Sequence, residues 1–390
     1  MSAGVGQRPA LTWAVNIAVV LLVLAWTVPT LGILVTSLRD KDQIPTSGWW
    51  TALSSAERNL PAQRAGSPKD AVEEDGKWVL EGNLLEGQGG GTISAFGISS
   101  REPKAFAAGE TATTRRDGAL TVEADGTYRI VYDQQPTASR GQRIFVTATI
   151  PPAATTDNYR NVLFAEGLGQ SFINTLTVTI PATIIPILIA AYAAYALAWM
   201  EFPGRALLLA IVVGLLVVPL QMSLIPLLQL YIGLDKLLGL EGGSGFAKSY
   251  VGIWLAHTGF GLPLAIYLLR NYIAGLPREI LESARVDGAS DFDIFRKIIL
   301  PLSFPALASF AIFQFLWVWN DLLVATVFLG NNEEQLVLTG RLRELLGSRG
   351  GNWEILTASA FVTIVVPLLV FFSLQRYLVR GLLAGSVKGG

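Results

Sequence analysis

The sequence predicts an all-α membrane protein with six helical spans and a small β-rich insert between the first and the second. Three observations predict it. The 390 residues are 51% hydrophobic and only 15% charged, and the mean hydropathy is +0.47, far from the balance of a soluble domain. Six stretches, near 11–37, 171–199, 206–232, 247–269, 303–329 and 355–375, supply the roughly 20 apolar residues that a helix needs to cross a bilayer core. Residues 41–165 break that character and carry hairpin signals instead of long apolar runs.

Taken in order, the first span follows a single basic residue, Arg8. Its apolar run far exceeds the roughly 7–15 residues of a signal-peptide core, so 1–40 reads as a tail and an uncleaved helix. In the 41–165 insert, "EEDGKWVLEGN" and "EADGTYRIVYD" each set Asp-Gly before alternating residues, which is a hairpin pattern, and "GTISAFGIS" and "RIFVTATI" read as further strands. A structural insert and a contact surface for a soluble partner are both open readings. Residues 166–390 hold the other five spans. Prolines inside the spans (Pro29, Pro181, Pro186, Pro219, Pro226) imply kinked helices whose freed carbonyls neighbours must satisfy.

Six crossings place both termini on one side, and the basic residues of the short loops choose it. Arg8, Arg205, Arg270, Arg278, Arg285, Arg296, Lys297, Arg376, Arg380 and Lys388 fall on one side; Lys236, Lys248, Arg341, Arg343 and Arg349 fall on the other, joined by Arg39 and Lys41 after the first span. The first side is expected to be cytoplasmic. The insert is then extracytoplasmic.

Much chemistry is excluded. Cysteine is absent and His257 is the single histidine, which removes Cys/His metal sites and disulfides. The net charge of -1 offers no attraction to nucleic acid. No segment fits the phosphate-binding G-x-x-x-x-G-K-[ST]; "GGSGFAKS" at 242–249 lacks the glycine before lysine. The chain is expected to be no enzyme and to bind no cofactor. His257 reads first as a packed helix residue. Polar groups within spans are costly unless paired or facing a cavity, and Asn174, Thr175, Gln221, Gln229 and the triplet Trp319, Asn320 and Asp321 stand out. An indole beside an amide and a carboxylate suits a sugar; helix-to-helix hydrogen bonding suits Asn320 and Asp321 equally and the others better.

One charged, amphipathic segment interrupts the apolar runs at 278–301. A short helix, a glycine break and a second helix stopping at proline are expected there, with Glu279, Glu282, Arg285, Asp287, Asp291, Asp293, Arg296 and Lys297 interleaved with Ile280, Leu281, Val286, Phe292 and Phe295. Helices that lie on lipid favour basic polar faces. Mixed signs fit a protein socket better.

"ESARVDGASDFDIFRKIILP" resembles the EAA loop of the permease subunits of bacterial ABC importers, through Glu282, Ser283, Ala284, Asp287, Gly288 and Ala289 and the closing Ile298, Leu300 and Pro301. Ser283 stands where the pattern has its first alanine. "NTLTVTIPATIIP", "WNDLL" and the run from "NWEILTASAFV" onward are similar to the six-span subunit of maltose-type carbohydrate permeases, and the large insert most resembles the α-glucoside permeases. The resemblance implies an ABC importer permease fold in the inner membrane of a bacterium and uptake of an α-glucoside such as maltose, trehalose or sucrose. It implies a heterodimer with a second permease, two copies of an ABC ATPase that uses ATP and Mg, and an extracytoplasmic sugar-binding protein, with the 331–353 loop as a candidate contact. Glu282 would pair with a basic residue of the ATPase, Gly288 would allow the turn, and Ala284 and Ala289 would allow close approach. Two rivals stand beside this: an importer permease for a polyol or other solute, and a non-transporting membrane scaffold.

Overall fold

The computed structural model describes residues 9–86, 90–114, 117–240 and 245–386. Arg8, Lys388, the Arg380 side chain and the first three residues of the GGSGFAKS run lie outside the described residues. The chain divides into two compact units, one of residues 1–158 with 352–358, the other of 159–351 with 359–390.

The first unit opens with α1 (Pro9–Ser37), whose apolar side chains, from Leu11 to Leu31, are almost all exposed. An apolar surface of that extent calls for lipid or protein cover. The described residues of the insert then form ten short strands. One sheet runs β1 (Ala56–Asn59), β10 (Arg143–Ile150), β5 (Thr92–Gly97), β6 (Phe106–Ala107), with β2 (Gln63–Arg64) also beside β10; the other runs β3 (Val72–Glu74), β4 (Lys77–Asn83), β9 (Thr127–Tyr132), β8 (Ala119–Val122), β7 (Thr111–Thr113). Both stretches with Asp-Gly make hairpins. Asp75 and Gly76, at φ 47° and 76°, join β3 to β4 as a two-residue turn. Between β8 and β9, Gly126 takes φ 90° and the Asp125 carboxylate accepts the Thr127 N–H at 2.9 Å. Leu80, Leu120 and Ile130 from one sheet share a single buried cluster with Ile93, Phe96, Ile144 and Val146 from the other. The two ends of the insert are clasped, because the buried Asn158 amide donates to the carbonyls of Ser37 (2.9 Å) and Arg39 (2.8 Å).

The second unit is helical: α2 (Leu168–Trp199), α3 (Arg205–Leu215), α4 (Leu220–Leu238), α5 (Tyr250–Ile273), α6 (Arg278–Val286), α7 (Asp291–Ile294), α8 (Phe304–Trp319), α9 (Leu323–Phe328), α10 (Leu338–Ser348) and α11 (Trp353–Ser386), the last beginning in the first unit. Fully buried Ala182, Ala190, Ala194, Ala256 and Ala265 line α2 and α5, small side chains that let membrane helices approach closely. Among the described residues four helices are long and apolar enough to cross a bilayer, and the number rises to six if each of two bent pairs is one span. The stretch expected as the third span is broken, and the one expected as the fifth divides after Trp319 into α8 and α9. α3 meets α4 at 109°, where Pro219 supplies no N–H and forces Val218 out of helical geometry. Residues 291–302 bend by 70° into α8. The second helix of the charged segment also does not stop at Pro301: after a π-helical turn, Phe295–Ile299, it runs on through Leu300–Leu302, and the bend falls at Ser303.

Candidate coupling site

The geometry of 278–301 follows from three local devices. The first ends α6. Asp287 is its C-cap, Gly288 takes φ 80°, the Gly288 N–H donates to Arg285 O and the Ala289 N–H donates to Ala284 O, both at 3.0 Å. This is a Schellman closure, and it places glycine at the one position that demands a left-handed backbone. The second starts α7: the Ser290 hydroxyl accepts the Asp293 N–H at 3.2 Å as an N-cap. The third is apolar. Leu281, Ile294 and Ile299 are buried in one cluster with Tyr195, Leu269 and Ile273, and the Phe295 ring meets Tyr192 and Tyr195 at 5.2 and 5.8 Å between centroids.

Asp291 joins these parts. Its Oδ1 accepts from the Tyr195 hydroxyl at 3.1 Å and from Arg285 Nη2 at 3.3 Å, so one carboxylate ties α7 to α6 and to α2. The segment is therefore a fixed helix–turn–helix on the bundle. Ala284, Ala289 and Leu300 are half-buried against the segment's own core, and Ile298 is half-buried beside them. Ser283, Asp287, Gly288 and Pro301 are exposed. Glu282 is exposed too, and it forms an ion pair with Arg278 at 2.9 Å. Val286 (87% exposed) and Phe292 (60%) project outward, two large apolar groups flanking the glycine turn and without cover within the chain. Beside them a groove of about 460 Å³ is lined by Trp199, Glu201, Arg205, Arg278, Glu282 and Arg285.

The polar groups inside the spans separate by their partners. Trp319 is buried, donates to Thr363 O at 3.0 Å, and stacks on Phe315. Asp321 caps α9, accepting from Ala325 N at 2.9 Å and Val324 N at 3.3 Å. Asn320 is exposed, with its amide donating to Leu316 O at 2.8 Å. Asn174 and Thr175 hold the 331–353 loop: Asn174 Nδ2 donates to the carbonyls of Glu334 and Leu336, and Thr175 Oγ1 accepts the Leu338 N–H at 2.8 Å. That loop contains α10, a helix that the sequence reading left unassigned. Gln221 and Gln229 are exposed on α4. His257 is fully buried, with Nε2 4.0 Å from Asp321 Oδ2.

Gln314 was missed, although a lone amide in "IFQFLWVW" is the same kind of signal. It is buried on α8, donates to Ala182 O at 3.0 Å, and lines a cavity of about 640 Å³ with Ser223, Phe260, Gly261, Phe313 and Trp317. The other half of the near-match to a phosphate loop is occupied: the N–H groups of Phe246 and Ala247 donate to the Asp235 carboxylate at 2.7 and 2.9 Å.

Comparison with known proteins places these features in a family. Residues 171–383 match the family described as binding-protein-dependent transport system inner membrane component. The chain is 72% identical over 384 residues to the alpha-glucoside transport system permease protein AglG of Rhizobium meliloti, covering 98% of this chain and 99% of that one. It is 59% identical to the osmoprotective compounds uptake permease protein GgtD of Synechocystis sp., over 59% of this chain and 74% of that protein. It is 33% identical to the trehalose transport system permease protein SugB of Mycobacterium tuberculosis, over 62% of this chain and 84% of that protein.

Proposed function

The chain belongs to the binding-protein-dependent transport system inner membrane components, and from that premise we propose that it is one permease of a heterodimeric ABC importer for an α-glucoside. The single observation that carries the mechanism is the fixed helix–turn–helix at 278–301, which offers Glu282, Val286 and Phe292 to solvent. A rigid element with exposed apolar groups and a weakly engaged acid is suited to a socket on a separate ATPase, two copies of which hold ATP and its magnesium ion. Closure of that pair rocks the permeases between inward and outward states, and the energy enters because the ATP-bound ATPases bind one state better.

In this reading the bent pair α3–α4 counts as one broken span and α8 with α9 supplies the fifth crossing, giving six crossings, with both termini cytoplasmic and the β-rich insert outside. The 331–353 loop, pinned to α2 by Asn174 and Thr175, faces an extracytoplasmic sugar-binding protein. The substrate path runs past Asn320, whose side chain is exposed although its amide donates to Leu316 O. Trp319 and Asp321 support it from behind, since their polar groups are already engaged. Support for the substrate class is the near full-length similarity to an α-glucoside permease, whose 98% coverage of this chain necessarily includes the insert.

A second reading keeps the same machinery and changes the solute, favoured by the 59% identity to a permease for osmoprotective compounds. Competition of labelled maltose uptake by trehalose, sucrose and a polyol in vesicles holding the complete importer separates them. Competition by the disaccharides is expected, and competition by the polyol alone contradicts the α-glucoside assignment.

A further inference from the structure

The insert contains a cluster of charge that import does not use. Arg64 on β2 and Arg143 on β10 are direct register partners, so two like charges face one another across an antiparallel pair, an arrangement that lowers sheet stability. Arg140 lies in the adjoining turn, and the Arg64 guanidinium is held below its ordinary range by desolvation and then by Arg140 and Arg143. Three other basic residues among the described residues of the insert do find carboxylates: Lys77 pairs with Asp133, Lys104 with Glu57, and Arg129 with Glu74 and Glu81. Among the described residues no carboxylate lies within ion-pair distance, 4.0 Å, of Arg64 or Arg143.

These arginines line a pocket of about 470 Å³ with the serines Ser99 and Ser100 and the ring of Phe145. Its wall is built closely: the Arg64 guanidinium donates to Gly141 O at 3.2 Å, the Ala65 N–H donates to Gln142 O at 3.0 Å, and a side chain on Gly141 would collide with the Ala65 carbonyl. The volume falls in the range of small-molecule sites. Guanidinium groups grip carboxylate and phosphate oxygens through paired hydrogen bonds, which hydroxyls can extend.

We propose that this pocket binds a small polyanion, a solute with two or more carboxylate or phosphate groups, at a site separate from the imported sugar. Bound oxyanions replace the repulsion between Arg64 and Arg143 with shared hydrogen bonds. The arginine side chains are exposed at its rim, and a concave pocket of this volume suits a free solute better than the flat face of a docking protein.

The test is calorimetric titration of citrate into the full chain in nanodiscs at constant ionic strength. Saturable binding is expected, weakened about tenfold by Arg143→Gln, as for loss of a charge-assisted hydrogen-bond pair, and lost in the Arg64→Gln/Arg143→Gln variant. Arg129→Gln is expected to bind as the wild type does. Thermal unfolding without citrate checks the fold, and the double variant is expected to unfold no lower than the wild type because a repulsion is gone. Heats indistinguishable from those of sodium chloride, or full binding by a folded double variant, would overturn the proposal. Hexaglutamate at equal carboxylate concentration is the second arm. If it binds through Arg64 and Arg143 and citrate does not, the ligand is a polypeptide carboxylate and the small-solute assignment is wrong.

Discussion

Glu282 and Arg278 form an ion pair at 2.9 Å one helical turn apart, with 60% of the acid side chain and 75% of the base still exposed. The order is the less favourable one, base before acid against the helix dipole, and an exposed pair of this kind contributes about 0.3–0.5 kcal/mol. In the proposed socket, a pair this weak gives way to a basic residue of the partner protein at little cost. Glu282→Ala is therefore expected to leave membrane insertion and unfolding unchanged while abolishing sugar uptake. Flotation and thermal unfolding beside vesicle uptake check this, and normal uptake in the variant counts against the socket assignment.

Gly288 tests the turn rather than the charge. A Cβ built on it meets nothing within 4 Å, yet its φ is 80°, so the cost of substitution is backbone strain alone, about 1 kcal/mol for alanine. Asparagine tolerates that region better than alanine or valine. Uptake is expected to fall in the order Gly288→Asn, Gly288→Ala, Gly288→Val, with all three chains still inserted. An order set by side-chain volume alone, with asparagine no better than valine, contradicts the Schellman account.

Asp321 and its neighbour Asn320 are expected to behave oppositely. Removal of the α9 cap in Asp321→Ala should destabilise the chain by about 1 kcal/mol and reduce assembly, whereas Asp321→Asn keeps an acceptor and loses less. Asn320→Ala leaves its neighbours' hydrogen bonds intact and is expected to lower uptake with assembly unchanged. Yield of assembled importer and uptake per assembled importer separate the two effects.

His257 is fully buried, and neither ring nitrogen has a hydrogen-bond partner, since Asp321 Oδ2 is 4.0 Å away. A buried polar group left unpaired costs about 1–3 kcal/mol. His257→Phe retains an aromatic ring beside Trp317, whose centroid is 5.8 Å from the imidazole, so the variant is expected to unfold no lower than the wild type. A clear fall in the unfolding midpoint would reveal that the histidine is paired.

The sequence already carried both hairpins, because Asp-Gly turns and alternation are local signals that survive tertiary context. The same holds for the glycine turn at 288 and its apolar ridge. The kink before α4 was written in Pro219, but its angle was not, since packing and not proline alone sets the direction of the continuing helix. Neither the role of Asn174 and Thr175 nor the capping by Asp321 was legible. Their partners lie at Leu336 and Leu338, far along the chain, or on a short helix too brief to show a period. α10 was hidden for a related reason: its buried residues Leu338 and Leu345 are too few to declare one face.

The most direct measurement uses the absence of cysteine. Val286→Cys and Phe292→Cys each place a lone thiol on the exposed face of the 278–301 segment, and a short bifunctional thiol reagent applied to membranes holding the active importer reports what that face touches. The account predicts crosslinking of both positions to the ATPase subunit, with no crosslink from a thiol at Val72 in the insert. Full uptake with no crosslink from either position to the ATPase would contradict it.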